Sequence, residues 1–322
     1  IVTHRGFRLN VLVSPLPQAT WPKLATQFLA AKAQSDRGDP SLLQSFTNTC
    51  LAQGWNGVDH LDEENLLDRV EDIGLDKIPP EVLLLTCGVD LAKDRVEASI
   101  VGHDRAGGLY VLAHYEIYGS PDDPATWSEL DHLFRTSWPH PLGGRIGITA
   151  AAIDSGTWTQ HVYDFVGPLD PRRRIMAVKG IAGASQVVIH RSQHKYGMSV
   201  RNRGGCWLWI VGADTCKTVL FSRLQRGDKI RFSDSLQAAY FEELAAEKVM
   251  ITYKRGKITR RFEKVSDRAR NEGLDCLVYA FAALKSIDAI NWDRRRDELS
   301  LQHRPTSRPS AVSQLAGYGQ RG

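Results

Sequence analysis

The chain has 322 residues, 42% of them hydrophobic and 24% charged, with a formal net charge of +4. That composition is ordinary for a globular protein and long enough for one large or two modest domains. No apolar run approaches the roughly 18 residues of a membrane span and Ile1-Val2-Thr3-His4-Arg5 carries no signal-peptide pattern, so no membrane role is expected and a cytosolic setting is the default.

Residues 1 to 80 are expected to be helical and irregular, with amphipathic helices from Trp21 to Lys32 and from Pro40 to Leu51. Pro79 and Pro80 can neither donate to a ladder nor continue a helix, which places a domain boundary near 80. Strands follow over Leu83 to Leu91, Arg95 to His103 and Leu109 to Tyr118, an antiparallel meander whose last turn is Asp104-Arg105-Ala106-Gly107-Gly108. A helix from Pro124 to Phe134 has Asp122 and Asp123 as cap candidates. A strand over 146 to 153, a helix from Gly156 to Val166 and a strand from Ile175 to Gly180 predict a parallel right-handed crossover. Next come a Trp-rich strand from Cys206 to Val211, a helix from Ala213 to Leu224 ending near Gly227, and a helix from Leu236 to Lys248. A basic hairpin pairs Met250 to Tyr253 with Thr259 to Val265, and a last helix runs from Arg268 to Ile287. The pattern predicts an α/β fold over residues 81 to 290, a mixed sheet of antiparallel meander plus parallel crossover flanked by helices. Residues 291 to 322, rich in Arg, Ser, Pro and Gln, are expected to form a polar, disordered tail.

The first residue is not Met and the opening reads as mid-domain sequence, so a fragment or a processed product is expected. The five cysteines, at 50, 87, 206, 216 and 276, are scattered and form no C-x-x-C pair, which leaves them as reduced apolar side chains. Charge is unevenly spread. Residues 59 to 81 are acidic, whereas 172 to 203 carry Arg172, Arg173, Arg174, Lys179, Arg191, Lys195, Arg201 and Arg203 with no acid. A second basic block holds Lys254, Arg255, Lys257, Arg260, Arg261, Lys264, Arg268 and Arg270. Either block alone reads equally well as a solvated surface; two of them flanking the acids described next favour a polyanionic partner.

Asp90 closes the apolar run from Leu83, Asp154 closes the run from Ile146, and Asp275 interrupts an apolar helix. An acid at the end of a buried strand or on a buried helix face is costly to desolvate unless a cation compensates it. If the two strands are parallel neighbours, Asp90 and Asp154 emerge at one sheet edge, where open α/β sheets bind ligands, and packing the last helix there delivers Asp275. Hard oxygen donors select magnesium or manganese, and two such ions about 3.5 to 4 Å apart can activate water and stabilise a leaving oxygen.

Simpler roles compete for each acid. Asp90 begins a turn, Asp154 can cap the next helix, and Asp275 can pair with Arg268 or Arg270. Asp94 and Asp214 are reserve ligands with their own turn and cap roles, and Glu272 lies one position off the Asp275 stripe. Lys179 either neutralises a phosphate at the same edge or is a plain surface lysine. Cys87 with His161 has no spacing that supports a nucleophile and base. Gly212-Ala213-Asp214-Thr215-Cys216-Lys217-Thr218 lacks the glycine before the lysine that a phosphate loop needs, so no autonomous ATP hydrolysis is expected.

Leu85-Thr86-Cys87-Gly88-Val89-Asp90, Asp94-Arg95-Val96-Glu97, Ala152-Ile153-Asp154-Ser155-Gly156, Val178-Lys179-Gly180 and Arg270-Asn271-Glu272-Gly273-Leu274-Asp275-Cys276 together resemble the large terminase subunit of lambda-type tailed bacteriophages. The segment from Gly6 through Asn10, Ser14-Pro15 and Trp21 resembles that family's stretch leaving its ATPase region, and the resemblance spans roughly residues 5 to 290. It implies a C-terminal nuclease part of ribonuclease H-like fold, with Asp90, Asp154 and Asp275 holding two magnesium or manganese ions, Lys179 assisting, and residues 1 to 80 a remnant of the upstream ATPase region. The implied partners are double-stranded DNA, the small terminase subunit, the portal protein and the ATPase domain, in the host bacterial cytoplasm. Backbone phosphates would meet Arg172, Arg173, Arg174, Lys195 and Arg201 together with Lys254, Arg255, Lys257, Arg260 and Arg261. Two readings remain open: another ribonuclease H-like nuclease or a transposase or resolvase relative, and a non-catalytic DNA-binding or docking module.

Overall fold

The computed structural model describes residues 9–36, 41–53, 61, 63–183, 187–199, 203–254 and 257–301. Its strands in chain order are β1 (Val70–Glu71), β2 (Leu84–Leu91), β3 (Arg95–His103), β4 (Leu109–Tyr118), β5 (Ser137–Pro139), β6 (Arg145–Asp154), β7 (Ile175–Ile181), β8 (Ile189–Tyr196), β9 (Cys206–Gly212), β10 (Ile230–Ser233), β11 (Glu247–Lys254) and β12 (Lys257–Lys264). The helices are α1 (Trp21–Asp36), α2 (Ser41–Ser45), α3 (Glu63–Leu67), α4 (Pro124–Arg135), α5 (Thr159–Val166), α6 (Ala213–Arg226), α7 (Ala238–Leu244), α8 (Glu272–Lys285) and α9 (Trp292–Leu301).

One mixed sheet runs in the order β1-β10-β4-β3-β2-β6-β7-β9-β8, with β5 paired to β6. The predicted meander is present, β2 with β3 and β3 with β4 antiparallel. The predicted crossover is present as well: β6 lies parallel to β2, and β7 parallel to β6. Alternation along the strands divides the interior into two cores. Ala150, Ala152, Met176, Val178 and Val211 face α6, α7 and α8, whereas Cys87, Val89, Ala151, Ile153 and Ala177 face the side of α4 and α5.

The closest contact between layers is α8 on β2. A Cβ at Gly88 would fall 1.9 Å from the Cys276 carbonyl oxygen and 2.4 Å from the Ala280 nitrogen, so only glycine lets the helix backbone approach this far. Thr86 Oγ1 donates to the Ala280 carbonyl at 2.9 Å and fixes the same contact. At the other end of the α6–α8 layer, Gly227 closes α6 with φ +68.

The packed unit is wider than the predicted 81 to 290. Leu61 and Leu66 belong to one core and Ile73, Leu75 and Ile78 to the other, and β1 adds parallel to β10. These residues are apolar but lie among acids, which masks them in a sequence reading. In the predicted tail, α9 forms with Leu299 buried and Arg294 and Arg295 paired to Glu298 at 2.9 Å. Residues 302 to 322 lie outside the described residues. The helix predicted to Lys248 stops at Leu244, and β11 begins at Glu247 where β-branched residues take over. Strand β8 escapes a hydrophobicity reading because it is an edge strand with mostly exposed polar residues.

Candidate metal centre

The pairing of Val89 with Ile153 on parallel β2 and β6 brings the next residues, Asp90 and Asp154, to the same level at one sheet edge. Asp90 shares a face with Gly88, and Asp154 shares one with Ala152, so both are on the side covered by α8. Helix α8 begins at Glu272, which puts Asp275 in its first turn rather than in mid-helix as the sequence pattern predicts. There the partial positive charge of the helix N-terminus favours an acid.

All three acids are half-buried, and the Asp275 charge acts on both Asp90 and Asp154. Burial first, then the charges of Asp275 and Asp154, hold the Asp90 carboxyl well above the usual carboxylate range. Burial also lifts Asp154, to about 6, with the Asp275 charge adding and hydrogen bonds from the Gly156 and Ser155 backbones and the Tyr279 hydroxyl opposing. Asp275 is raised by burial and by Glu247, against the downward pull of Lys217. The expected cap roles exist in reduced form. Leu91 N–H donates to Asp90 Oδ1 at 2.9 Å and Gly156 N–H to Asp154 Oδ1 at 3.2 Å.

Sequence reading missed three groups that hold the acids. Lys217, on α6, is buried and donates from Nζ to Asp275 Oδ1 at 2.9 Å and to Glu247 Oε1 at 2.7 Å. Asn271 Nδ2 donates to Asp275 Oδ2 at 2.9 Å and to the same Glu247 oxygen at 2.7 Å. Burial alone would lower the Lys217 pKa, but the charges of Asp275 and Glu247 outweigh it and keep the ammonium charged. Tyr279, one turn beyond Asp275, is buried and bonded to Asp154. The signals were present as a lysine amid Cys216, Leu220 and Phe221, and as an i, i+4 pair on α8, but nothing local shows what those side chains meet.

The expected pairing of Asp275 with Arg270 does not occur. Arg270 instead reaches Glu97 at 2.6 Å and Glu243 at 2.9 Å. Glu97 sits opposite Asp90 on β3 and also accepts from Arg95 at 2.6 Å, with His114 Nε2 3.3 Å from its other oxygen. Burial pushes the Glu97 carboxyl up, but hydrogen bonds from His114 and Arg95 and the charges of His114 and Arg270 bring it down to about 2. Glu97, His114 and Glu243 have ligand atoms within 4.8 Å of one another, close enough to hold a metal ion. Two guanidinium groups already fill the role of cation there, so the set reads as an ion network beside the acid centre.

Lys179 alternates with Val178 on β7, and Val178 lies level with Asp154 on the α8 side. The pleat therefore sends Lys179 to the opposite face, where it is exposed, and the predicted approach to the acids is not made. Asp214 is buried with Oδ2 accepting the Gly183 N–H at 2.7 Å, and Asp94 is exposed and paired with Arg95. Cys87 is buried in β2 whereas His161 pairs with Asp122 at 3.0 Å, so they form no dyad.

The basic residues fall into two places. Arg172, Arg173 and Arg174 precede β7, four residues and about 13 Å from the level of Asp154 at the other end of the strands. Arg172 pairs with Asp170 and Arg173 with Asp131. Lys195, opposite Trp207, lies over that ring in the same region. The β11–β12 hairpin instead starts at the acid centre, since Glu247 at its base contacts Lys217 and Lys264 is close enough to act on Asp275. Lys254, Lys257 and Arg260 are on its strands and Arg261 is exposed, while Arg201 and Arg255 lie outside the described residues.

A mixed sheet whose adjacent parallel strands deliver two acids to one edge, met by a third from a late helix, is the ribonuclease H-like arrangement. The chain belongs to the family of terminase large subunit gpA endonuclease domains, whose model matches residues 4–294. It is 26% identical over 302 residues to the terminase large subunit of Enterobacteria phage P21, covering 89% of this chain and 45% of that protein. It is 25% identical over 289 residues to that of Escherichia phage lambda, covering 86% of this chain and 43% of the relative. The chain thus spans less than half the length of these curated relatives. Among solved structures it is similar to the large terminase nuclease from thermophilic phage G20c, with TM-score 0.34 and 11% identity over 69% of this chain and 98% of that one. It is also similar to the HK97 bacteriophage large terminase, with TM-score 0.33 and 14% identity over 83% and 53%. No helix among the described residues is long and apolar enough to cross a membrane.

Proposed function

We propose that this chain is a divalent-metal-dependent endonuclease that cuts double-stranded viral DNA during genome packaging. The observation that carries this reading is the convergence of Asp90, Asp154 and Asp275 at one sheet edge, where each carboxyl is lifted and at least one other acid contributes. Acids that disfavour one another's ionisation are a fitting donor set for a strongly charged cation, and oxygen-only donors suit magnesium or manganese. Two ions bound there would supply an activated water and neutralise charge at the phosphodiester. The chain's own residues do the holding. Asp90 and Asp154 are presented on rigid strands, Asp275 is oriented by Lys217 and Asn271, and Tyr279 steadies Asp154. The hairpin rises from the same place and supplies basic side chains for the DNA backbone, with the small terminase subunit, the portal and the ATPase part as partners in the host cytoplasm.

Asp275→Ala is expected to lower magnesium- or manganese-dependent cleavage of supercoiled plasmid by more than about 100-fold, with the circular dichroism spectrum unchanged. Chelation of the metal should silence the wild-type chain equally. Undiminished cleavage by a folded Asp275→Ala protein would sink the assignment. For the hairpin, Arg261→Ala is expected to weaken duplex binding alike on unrelated sequences and to reduce the salt slope by about 1, read from affinities at several salt concentrations. An unchanged slope would remove Arg261 from the DNA contact.

A further inference from the structure

Lys217 is an unusual choice for its position. It lies on the buried face of α6 with Cys216, Leu220 and Phe221 as buried neighbours, where an apolar side chain would pack without the desolvation of an ammonium. Its Nζ bridges Asp275 Oδ1 and Glu247 Oε1, and Asn271 closes the ring from the same Glu247 oxygen to Asp275 Oδ2. Both Asp275 oxygens therefore carry a fixed donor, and the same two donors converge on one oxygen of Glu247, a buried acid beside Asp275.

We propose that Lys217 is a positioning residue of the metal centre: it fixes the orientation of the Asp275 carboxylate, so that Asp275 joins Asp90 and Asp154 as a ligand. This rests on the metal-dependent reading above. Without the ammonium, Asp275 and Glu247 face each other as buried acids with no cation between them, and Asp275 loses the contact that sets its orientation. Groups that orient metal ligands in this way typically change metal affinity by about 10- to 100-fold when removed.

The test is manganese binding to the full 322-residue chain, followed by electron paramagnetic resonance without DNA, for wild type, Lys217→Met and Lys217→Met/Glu247→Gln. Manganese affinity is expected to fall at least about 10-fold in the single variant and to stay low in the double variant, with both folded by thermal unfolding. The double variant removes both charges together, so it keeps the test open where the single variant does not fold. Wild-type affinity in folded Lys217→Met, or recovery in the double variant, overturns the proposal, because Lys217 would then serve only to neutralise Glu247. Loss of the fold in both variants also overturns it, since the lysine would be structural. Failure of the wild-type chain to bind manganese sinks the metal reading itself, a different outcome from binding that ignores Lys217.

Discussion

Asp154→Asn is expected to make the metal-free protein more stable at pH 7.5 while abolishing metal-dependent cleavage. Burial and the Asp275 charge hold the Asp154 carboxyl at about 6, against 3.8 for an unperturbed aspartate. Between those values the folded chain keeps its proton while the unfolded chain has lost it, so stability falls as pH rises through this window and stays low above it. A difference of about two pH units corresponds to at most about 3 kcal/mol. The amide gives back part of that gain by weakening the bonds from Gly156 and Tyr279, which leaves a net gain of about 1 to 2 kcal/mol. Thermal unfolding in chelator from pH 4.5 to 8 reads it directly: the wild-type curve should fall relative to the variant's. Added manganese should then raise the wild-type midpoint at pH 7.5 and leave the variant's in place. Parallel pH curves for the two proteins would contradict the burial of this acid.

Gly88→Ala should be the most damaging single methyl group in the sheet. The new carbon would meet the Cys276 carbonyl at 1.9 Å and the Ala280 nitrogen at 2.4 Å, both backbone atoms that no rotamer change can move. Helix α8 must lift from β2, which also strains the bond from Thr86 to the Ala280 carbonyl. A loss of about 2 to 3 kcal/mol is expected from the denaturant midpoint, with cleavage reduced further because Asp275 travels with the helix. Gly147→Ala on β6 is the matched comparison, since its nearest neighbours at 3.5 and 3.8 Å are ordinary contacts, and it should change stability by less than about 1 kcal/mol. Equal effects at the two positions would refute the close approach of α8.

Much of this was legible in the residues. The runs ending at Asp90 and Asp154 are apolar, bounded and long enough to read as buried strands, and the helix after the second makes β6 and β7 parallel, whereas the parallel pairing of β2 with β6 is a long-range contact that the structure supplies. What could not be read was contact at long range. Lys217 and Asp275 are far apart in sequence, and the lysine looks like an interruption of an amphipathic helix until α8 is placed against it. Lys179 fails for the opposite reason: its position at a strand end is right, but one step of the pleat puts it on the other face. The basic run at 172 to 203 reads as one surface, whereas folding sends Arg172 and Arg173 to acids of their own at the far end of β7. Edge strand β8 and short β10 carry too little apolar pattern to be seen alone.

The seating of α8 on Gly88 bears on how the chain would accommodate a duplex under the proposed function. Asp275 and Tyr279 share that helix, and Asp90 belongs to the strand beneath it, so these side chains keep a common frame however the surface moves. A slide of α8 by even one residue, about 1.5 Å, would misplace two of the acids' supports at once. Under the proposed function a duplex would therefore meet acids held in one rigid frame, and the two-stranded β11–β12 sheet is tied to that same frame at its base, through Glu247 to Lys217 and through Val249 and Phe262 to the core.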